Sequence, residues 1–181
     1  MRLSARWWGK NCWMSLAEDS TNDAAMLAEQ TAALAVEHGW TVAVAESLTS
    51  GRIAACLGAA PDASSWFAGG VVAYASGVKF NVLNVDPGPV VSGRCAAQMA
   101  RGVASLTEAD FAVAATGVGG PGAEEGHPAG TVFLAVSSVA GEVVTQHRFD
   151  GEPAEVVERA TTTAVQHLLS AMVSCRQSNS G

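Results

Sequence analysis

The sequence has no hydrophobic run of the 18 or more residues that a membrane-spanning helix needs. It is also poor in lysine, since Lys10 and Lys79 are the only two in 181 residues, and the formal net charge is -7. Without clustered lysine and arginine, binding to a nucleic-acid backbone is not expected. The N-terminal segment lacks the continuous apolar core of a signal peptide. We therefore expect a cytoplasmic protein whose partners include neither nucleic acid nor membrane.

Paired metal ligands are absent from the sequence as well. The four cysteines are far apart and form no C-x-x-C pair, and the four histidines show no H-x-x-x-H spacing. Free cysteines of this kind are typically buried and structural. We expect neither a metal site nor a cofactor.

The composition indicates a single domain with an extension at each end. At 18.4 kDa and 49% hydrophobic residues, the chain is long enough to bury a substantial core. An aromatic and basic N-terminal segment changes abruptly to an acidic, alanine-rich one near Asn22. We interpret residues 1–20 as a flexible extension, 21–175 as the domain and 176–181 as a disordered tail. An interfacial membrane anchor at Trp7, Trp8 and their basic neighbours is an alternative for the first segment.

Strand and helix patterns alternate along the domain. Strands are predicted near 41–46, 70–75, 111–116, 131–138 and 142–149, and helices near 22–38, 51–59, 92–106 and 153–173. Ser92 is a candidate N-cap, and Pro153 occupies a favourable first-turn position. The last two strands are two residues apart, so they form an antiparallel hairpin. The pattern predicts a three-layer α/β/α sandwich with a mixed, mostly parallel five-stranded sheet.

The stretch TGVGGPG contains the spacing G-x-G-x-x-G at Gly117, Gly119 and Gly122. In a dinucleotide-binding fold, these glycines would end a strand and open a helix whose N-terminus holds the pyrophosphate. A strand does run into the glycines, but a polar loop with two prolines and then another strand follow. A dinucleotide-binding fold is therefore not indicated, and the glycines require another explanation.

Three segments follow predicted strands and could meet at one edge of the sheet, where ligands of open α/β sheets bind. They are ESLTSG, YASGVK and TGVGGPG. Ser47 stands at a strand-to-helix junction and is either a nucleophile or an ordinary N-cap serine. Lys79 lies between Val78 and Phe80, where burial could lower its pKa from about 10.4 to the ~7 to 8 of a general base. A solvated lysine is its alternative, and a packed strand aromatic is the alternative to a cleft-lining Tyr74.

In their order and spacing, AESLTSG, YASGVK with VLNV behind it, and TGVGGPG with PAGTVFLAV behind it resemble the CinA carboxy-terminal domain family. The resemblance covers about residues 25–170 and implies hydrolysis of nicotinamide mononucleotide (NMN) to nicotinate mononucleotide and ammonia. It implies Ser47 as the nucleophile, Lys79 as the base and Tyr74 as a further catalytic residue that lines the cleft. The substrate-binding residues that we infer with it are Glu46, Thr49, Ser50, Gly51, Thr116, Gly117, Gly119, Gly120 and Gly122. The expected partner is a mononucleotide substrate, and the expected assembly is a homodimer.

The chain departs from the family pattern at several positions. Ser50 replaces a glycine, and Pro153 and Val157 stand where the family tends to have arginines. A contact to phosphate or a catalytic contact could thereby be lost, and spacing alone does not show whether Arg148 or Arg159 compensates.

Three functional hypotheses follow. The first is a serine-lysine amidohydrolase that acts on NMN in pyridine nucleotide salvage, with an oxyanion held by amides near residues 49–51. The second is a catalytically impaired member that binds a nucleotide or a protein and is linked to competence and DNA damage. A generic phosphate-binding α/β module is the third.

Overall fold

The fold was analysed in a computed structural model that describes the backbone of residues 14–179 and the side chains of residues 23–178. Six helices and five strands follow one another along this part of the chain. The strands are β1 (Val42–Glu46), β2 (Phe67–Val72), β3 (Phe111–Gly117), β4 (Thr131–Ser138) and β5 (Gly141–Arg148). The helices are α1 (Met14–His38), α2 (Arg52–Gly58), α3 (Ala63–Trp66), α4 (Ser76–Val82), α5 (Gly93–Thr107) and α6 (Pro153–Asn179).

The strands form one mixed sheet in the order β2-β1-β3-β4-β5. Strand β1 pairs in parallel with β2 and β3, whereas β4 pairs antiparallel with β3 and β5. Four strands therefore run in one direction, and β4 alone runs in the other. The predicted α/β fold and its C-terminal antiparallel hairpin are confirmed.

Each face of the sheet is covered by helices, which produces the predicted three layers. On one face, Val42 and Val44 of β1 belong to the same apolar cluster as residues of α1, α2 and α6. On the other face, Ala43 and Ala45 cluster with residues of α5 and of the segment after α4. Because successive side chains of a strand point to opposite faces, the apolar run of β1 supplies both halves of the core.

The second strand begins and ends earlier than the sequence predicts, at 67–72 rather than 70–75. Gly69 and Gly70 make this strand difficult to predict from the sequence, because glycine is depleted from strands. Gly70 is required by close packing on β1, since a Cβ atom there would lie 2.3 Å from Val44 Cγ2. The chain leaves the sheet after Ala73, whose N–H donates to Glu46 O at 2.6 Å.

The helix ends confirm two local predictions and correct two others. The Ser92 side chain accepts a hydrogen bond from Cys95 N, as predicted for an N-cap, and α6 begins at Pro153. Helix α1 begins at Met14 rather than near 22, and α6 continues to Asn179, where the sequence predicts a disordered tail from 176. The predicted flexible extension lies outside the described residues over 1–13. None of the helices in the described part of the chain is long and apolar enough to cross a membrane.

Candidate active site

A cleft of about 540 Å³ opens where the carboxyl ends of β1 and β3 meet α4 and the first turn of α6. Parallel strands deliver their following loops to the same edge of a sheet, which is where ligands bind in this class of fold. All three segments that the sequence singles out reach this cleft. The lining residues are Ser47, Leu48, Tyr74, Ser76, Lys79, Val90, Val91, Thr116, Gly117, Val118, Gly119, Gly120, Gly122, Ala123, Glu124, Pro153 and Val157.

Ser47 is the first residue after β1 and is half-buried in the cleft wall. Its N–H continues the sheet ladder by donating to Ala115 O at 2.9 Å. Its carbonyl accepts a hydrogen bond from Ser50 N at 3.1 Å, which closes a tight turn. The backbone of Ser47 is thus fixed on both sides, while its hydroxyl faces the cleft.

Lys79 reaches this hydroxyl from α4 on the other side of the cleft. Its Nζ atom lies 3.0 Å from Ser47 Oγ, 2.7 Å from Ala73 O and 3.3 Å from Tyr74 O. The lysine is only 1% exposed, so the solvated alternative does not describe it. Residues that are 32 positions apart in sequence are therefore within hydrogen-bonding distance, which a serine nucleophile and its base require.

The environment of Lys79 shifts its protonation equilibrium towards the neutral amine. Burial lowers the pKa of the Lys79 ammonium, because desolvation penalises the charged state. The negative charges of Glu124 and Glu125 act in the opposite direction and partly offset this effect on the pKa of Lys79, as does the charge of Cys95 when its thiol is ionised. The net effect is a lowered pKa of Lys79, and a lowered pKa is what a lysine needs to act as a general base.

Tyr74 lines the cleft with a side chain that is 70% exposed. Its contact with the Ser47–Lys79 pair is made by its backbone carbonyl, not by its phenol. The side chain is thus available to a ligand in the cleft, and the alternative of a packed strand aromatic does not apply.

Glu46 lies behind the cleft rather than in its lining. It is fully buried, and its carboxylate accepts hydrogen bonds from Gly51 N at 3.0 Å, Ile53 N at 3.1 Å and Ala54 N at 2.8 Å. These amides open α2, where a carboxylate is favourable because it satisfies unpaired N–H groups at the positive end of the helix. The residue thus holds the turn that carries Ser47.

Three other residues predicted to bind substrate also stand outside the lining of the cleft. Thr49 is fully buried, Ser50 is exposed at the surface of the turn, and Gly51 precedes α2. The N–H groups of Ser50 and Gly51 are already bonded to Ser47 O and Glu46. They are therefore not free to hold an oxyanion, as the sequence-based hypothesis supposed, because the turn and the helix cap use them.

The glycine loop that follows β3 forms the opposite wall. Thr116 is buried and donates from Oγ1 to Val90 O at 2.7 Å, so it ties this loop to the segment before α5. At Gly117 the loop passes close to β4, where a Cβ atom would lie 2.4 Å from Thr131 O. All four predicted glycines line the cleft, and β4 follows the loop without an intervening helix. The geometry thus agrees with the rejection of a dinucleotide-binding helix.

Some cleft residues carried no signal in the sequence. Glu124 lines the cleft, and the carboxylate of its neighbour Glu125 accepts from Val90 N at 3.1 Å and Val91 N at 2.7 Å. They lie in an irregular loop, whose path periodicity does not predict.

Pro153 and Val157, singled out for their departure from the family pattern, do line the cleft. Within the described residues, no three histidine, cysteine or acidic side chains come together to hold a metal ion.

The described geometry can be compared with known proteins. The family model of the CinA C-terminal domain matches residues 24–172. A CinA-like protein of Frankia casuarinae is 39% identical over 137 residues, which are 73% of this chain and 32% of that relative. A protein of Bacillus subtilis named as competence-damage inducible is 41% identical over 128 residues, which are 68% of this chain and 31% of that relative. The chain therefore spans about a third of the length of these curated relatives.

Solved structures agree with the sequence comparison. The crystal structure of a CinA superfamily protein from Klebsiella pneumoniae is similar with a TM-score of 0.79 and 33% identity, covering 83% of this chain and 98% of that one. A competence/damage inducible protein from Agrobacterium tumefaciens has a TM-score of 0.76 and 32% identity, with 82% and 94% covered. By sequence and by fold, this chain belongs to the CinA family and corresponds to its C-terminal domain.

Proposed function

We propose that this chain is an amidohydrolase in which Ser47 is the nucleophile and Lys79 its base. The reaction is the hydrolysis of NMN to nicotinate mononucleotide and ammonia, as the family resemblance implies. The observation that carries the proposal is the 3.0 Å distance between Lys79 Nζ and Ser47 Oγ in a cleft at the carboxyl edge of the sheet. With this activity, we propose that the protein acts in pyridine nucleotide salvage in the cytoplasm. The homodimer expected from the sequence remains a prediction.

The three oxygens around Lys79 Nζ can be satisfied by either protonation state of the amine. A neutral amine has two N–H groups and one lone pair, whereas an ammonium has three donors. The two N–H groups can donate to Ala73 O and Tyr74 O, which lie at 2.7 and 3.3 Å. The lone pair then points at the Ser47 hydroxyl and can accept its proton. The backbone carbonyls thereby orient the base.

The reaction follows from this arrangement. Lys79 takes the hydroxyl proton while Ser47 Oγ attacks the carboxamide carbon, which forms a tetrahedral oxyanion. The oxyanion collapses, the C–N bond breaks, and the Lys79 ammonium returns the proton to the departing nitrogen, so that ammonia leaves. Water then attacks the acyl-enzyme while Lys79 accepts one of its protons, the bond between the acyl carbon and Ser47 Oγ breaks, and Lys79 returns the proton to Ser47 Oγ as the carboxylate product leaves.

The N–H group of Leu48 is the donor that we assign to the oxyanion. No hydrogen bond of this amide is found within the described residues, whereas the amides of Ser50 and Gly51 are already bonded. Leu48 lines the cleft beside Ser47. Backbone donors placed next to a nucleophile are the common means of stabilising such an oxyanion.

Ammonia release from NMN by the purified protein tests the proposal. Ser47→Ala should reduce turnover to the background rate, because it removes the attacking oxygen that lies within reach of Lys79 Nζ. Ser170→Ala is the matched control, since the hydroxyl of this exposed serine of α6 donates to the carbonyl of Gln166 in its own helix. Equal ammonia release from the wild type and Ser47→Ala would reject Ser47 as the nucleophile.

A second function is a nucleotide- or protein-binding domain with impaired catalysis, linked to competence or DNA damage. The observation that favours it is the placement of Pro153 and Val157 in the cleft lining, where neither side chain offers a charge or a hydrogen-bond donor. Ligand binding to the wild type without any ammonia release would support this alternative.

A further inference from the structure

The charged residues that line the cleft influence which amide substrate the cleft can accept. Among the residues that line it in the described part of the chain, Lys79 is the only cation. Its Nζ atom is surrounded by Ser47 Oγ and the carbonyls of Ala73 and Tyr74. These contacts use its hydrogen-bonding capacity, so it does not bind a second group of the ligand. No cationic side chain of the lining is left for a second group of the ligand.

The residues of α6 that line the cleft offer no positive charge to an anion. Pro153 has no backbone N–H, and Val157 is apolar. The nearby N–H of Glu152 already donates to Glu155 Oε2 at 2.8 Å. A helix N-terminus normally favours anions, but this one carries its own carboxylates.

Neither nearby arginine supplies the missing charge. Arg148 is exposed on β5, and Arg159 donates from Nη1 to Asp150 O at 3.0 Å. Neither belongs to the cleft lining.

The opposite wall is acidic. Glu124 lines the cleft, and both it and Glu125 are close enough to Lys79 to act on its charge. A phosphomonoester carries a charge of about -1.5 to -2 at neutral pH, so these carboxylates repel it, while they attract a cation.

We propose that the cleft selects a carboxamide without a phosphate, in an uncharged or cationic molecule. For a nicotinamide substrate this is the nucleoside, nicotinamide riboside, whose pyridinium ring is cationic, in preference to NMN. The inference rests on the proposed amide hydrolysis and refines its substrate class. Pro153, Val157 and Glu124 are the residues that set the preference.

The two compounds form a matched pair that differs by one phosphate, and the test uses the full chain. We expect kcat/KM for ammonia release to be about tenfold higher for nicotinamide riboside than for NMN. Val157→Arg should raise kcat/KM for NMN about tenfold relative to kcat/KM for the nucleoside. Val157→Leu is its control, since it changes size without adding charge, and should not raise the NMN value.

The outcomes separate this inference from the proposed function. If NMN is hydrolysed as well as or better than the nucleoside, the inference is overturned and the amidohydrolase stands. If neither compound releases ammonia, the proposed function fails, and calorimetric binding to the wild type decides the inference. Tighter binding of the nucleoside then supports phosphate exclusion, whereas tighter or equal binding of NMN, or binding of neither, overturns it.

Discussion

At the scale of single residues, the chemistry depends on how Lys79 is held. Its ammonium is nearly inaccessible and its pKa is lowered by burial, yet three oxygens surround it. Full burial without such partners would be very costly for a charged group. The two carbonyls keep the amine in place in both protonation states, so the same side chain can accept and return a proton.

The pH dependence of activity should report the ionisation of Lys79. Only the neutral amine can act as base, so kcat/KM is expected to rise with pH to a plateau. Because burial lowers the pKa of Lys79, the midpoint of this rise should lie below the ordinary lysine value of 10.5. A pH profile of ammonia release measures it, and a profile with no rise in this range would contradict a lysine base.

Lys79→Arg tests the same group without removing its charge. A guanidinium cannot give up its proton near neutral pH. We therefore expect kcat to fall by about 10² to 10⁴, the usual contribution of a general base. Substrate binding should change far less, because the base acts mainly in the transition state. Retention of most of the wild-type kcat would show that proton transfer does not pass through this lysine.

At the scale of elements, the turn between β1 and α2 holds the nucleophile. The buried carboxylate of Glu46 bonds to three amides at the start of α2, and Ser47 is the next residue. Hydrogen bonds to charged groups contribute more to stability than neutral ones. The site thus rests on a carboxylate that does not line the cleft.

Glu46→Ala should be strongly destabilising. It leaves three amides at the start of α2 without their acceptor, and we expect a loss of about 3 kcal/mol in the free energy of unfolding. Glu155→Ala is the matched control, because that carboxylate accepts from Glu152 N at the exposed start of α6 and should contribute about 1 kcal/mol or less. Urea denaturation of both variants provides the comparison. Similar losses would show that Glu46 is an ordinary cap.

At the scale of the whole molecule, a histidine pair links the outer strand β5 to helix α6. The rings of His147 and His167 lie 5.3 Å apart, and His147 Nε2 is 2.9 Å from Thr145 Oγ1. Burial lowers the pKa of both histidines, and the charge of His167 lowers that of His147 further. The fold therefore favours two neutral rings at this junction.

Stability should decrease as the pH falls through the histidine range. The folded-state pKa values lie below the ordinary value of 6.5, so the unfolded chain binds more protons between the two values. The contribution of the pair is thus complete above about pH 6.5 and is lost below it. Urea unfolding of the wild type and His167→Gln between pH 5 and 8 measures this, and the variant should lose less stability on acidification. An equal pH dependence in both proteins would refute the contribution of the pair.

The sequence by itself determined the class of fold, the antiparallel hairpin, the Ser92 cap and the start of α6 at Pro153. It did so because hydrophobic periodicity and capping are local properties that neighbouring residues specify. It also singled out Ser47 by its position at a strand end and Lys79 by its apolar neighbours Val78 and Phe80.

Only the tertiary structure decided what depends on residues distant in sequence. It showed that β2 begins at Phe67, because the fit of Gly70 against Val44 is a contact between strands. It directed Glu46 into the start of α2 instead of the cleft, and it brought Glu124 and Val157 to the cleft lining. The distance from Lys79 to Ser47 and the burial that lowers the pKa of Lys79 depend on how α4 lies against the turn that follows β1. No local pattern encodes these features, because each is set where separate elements meet.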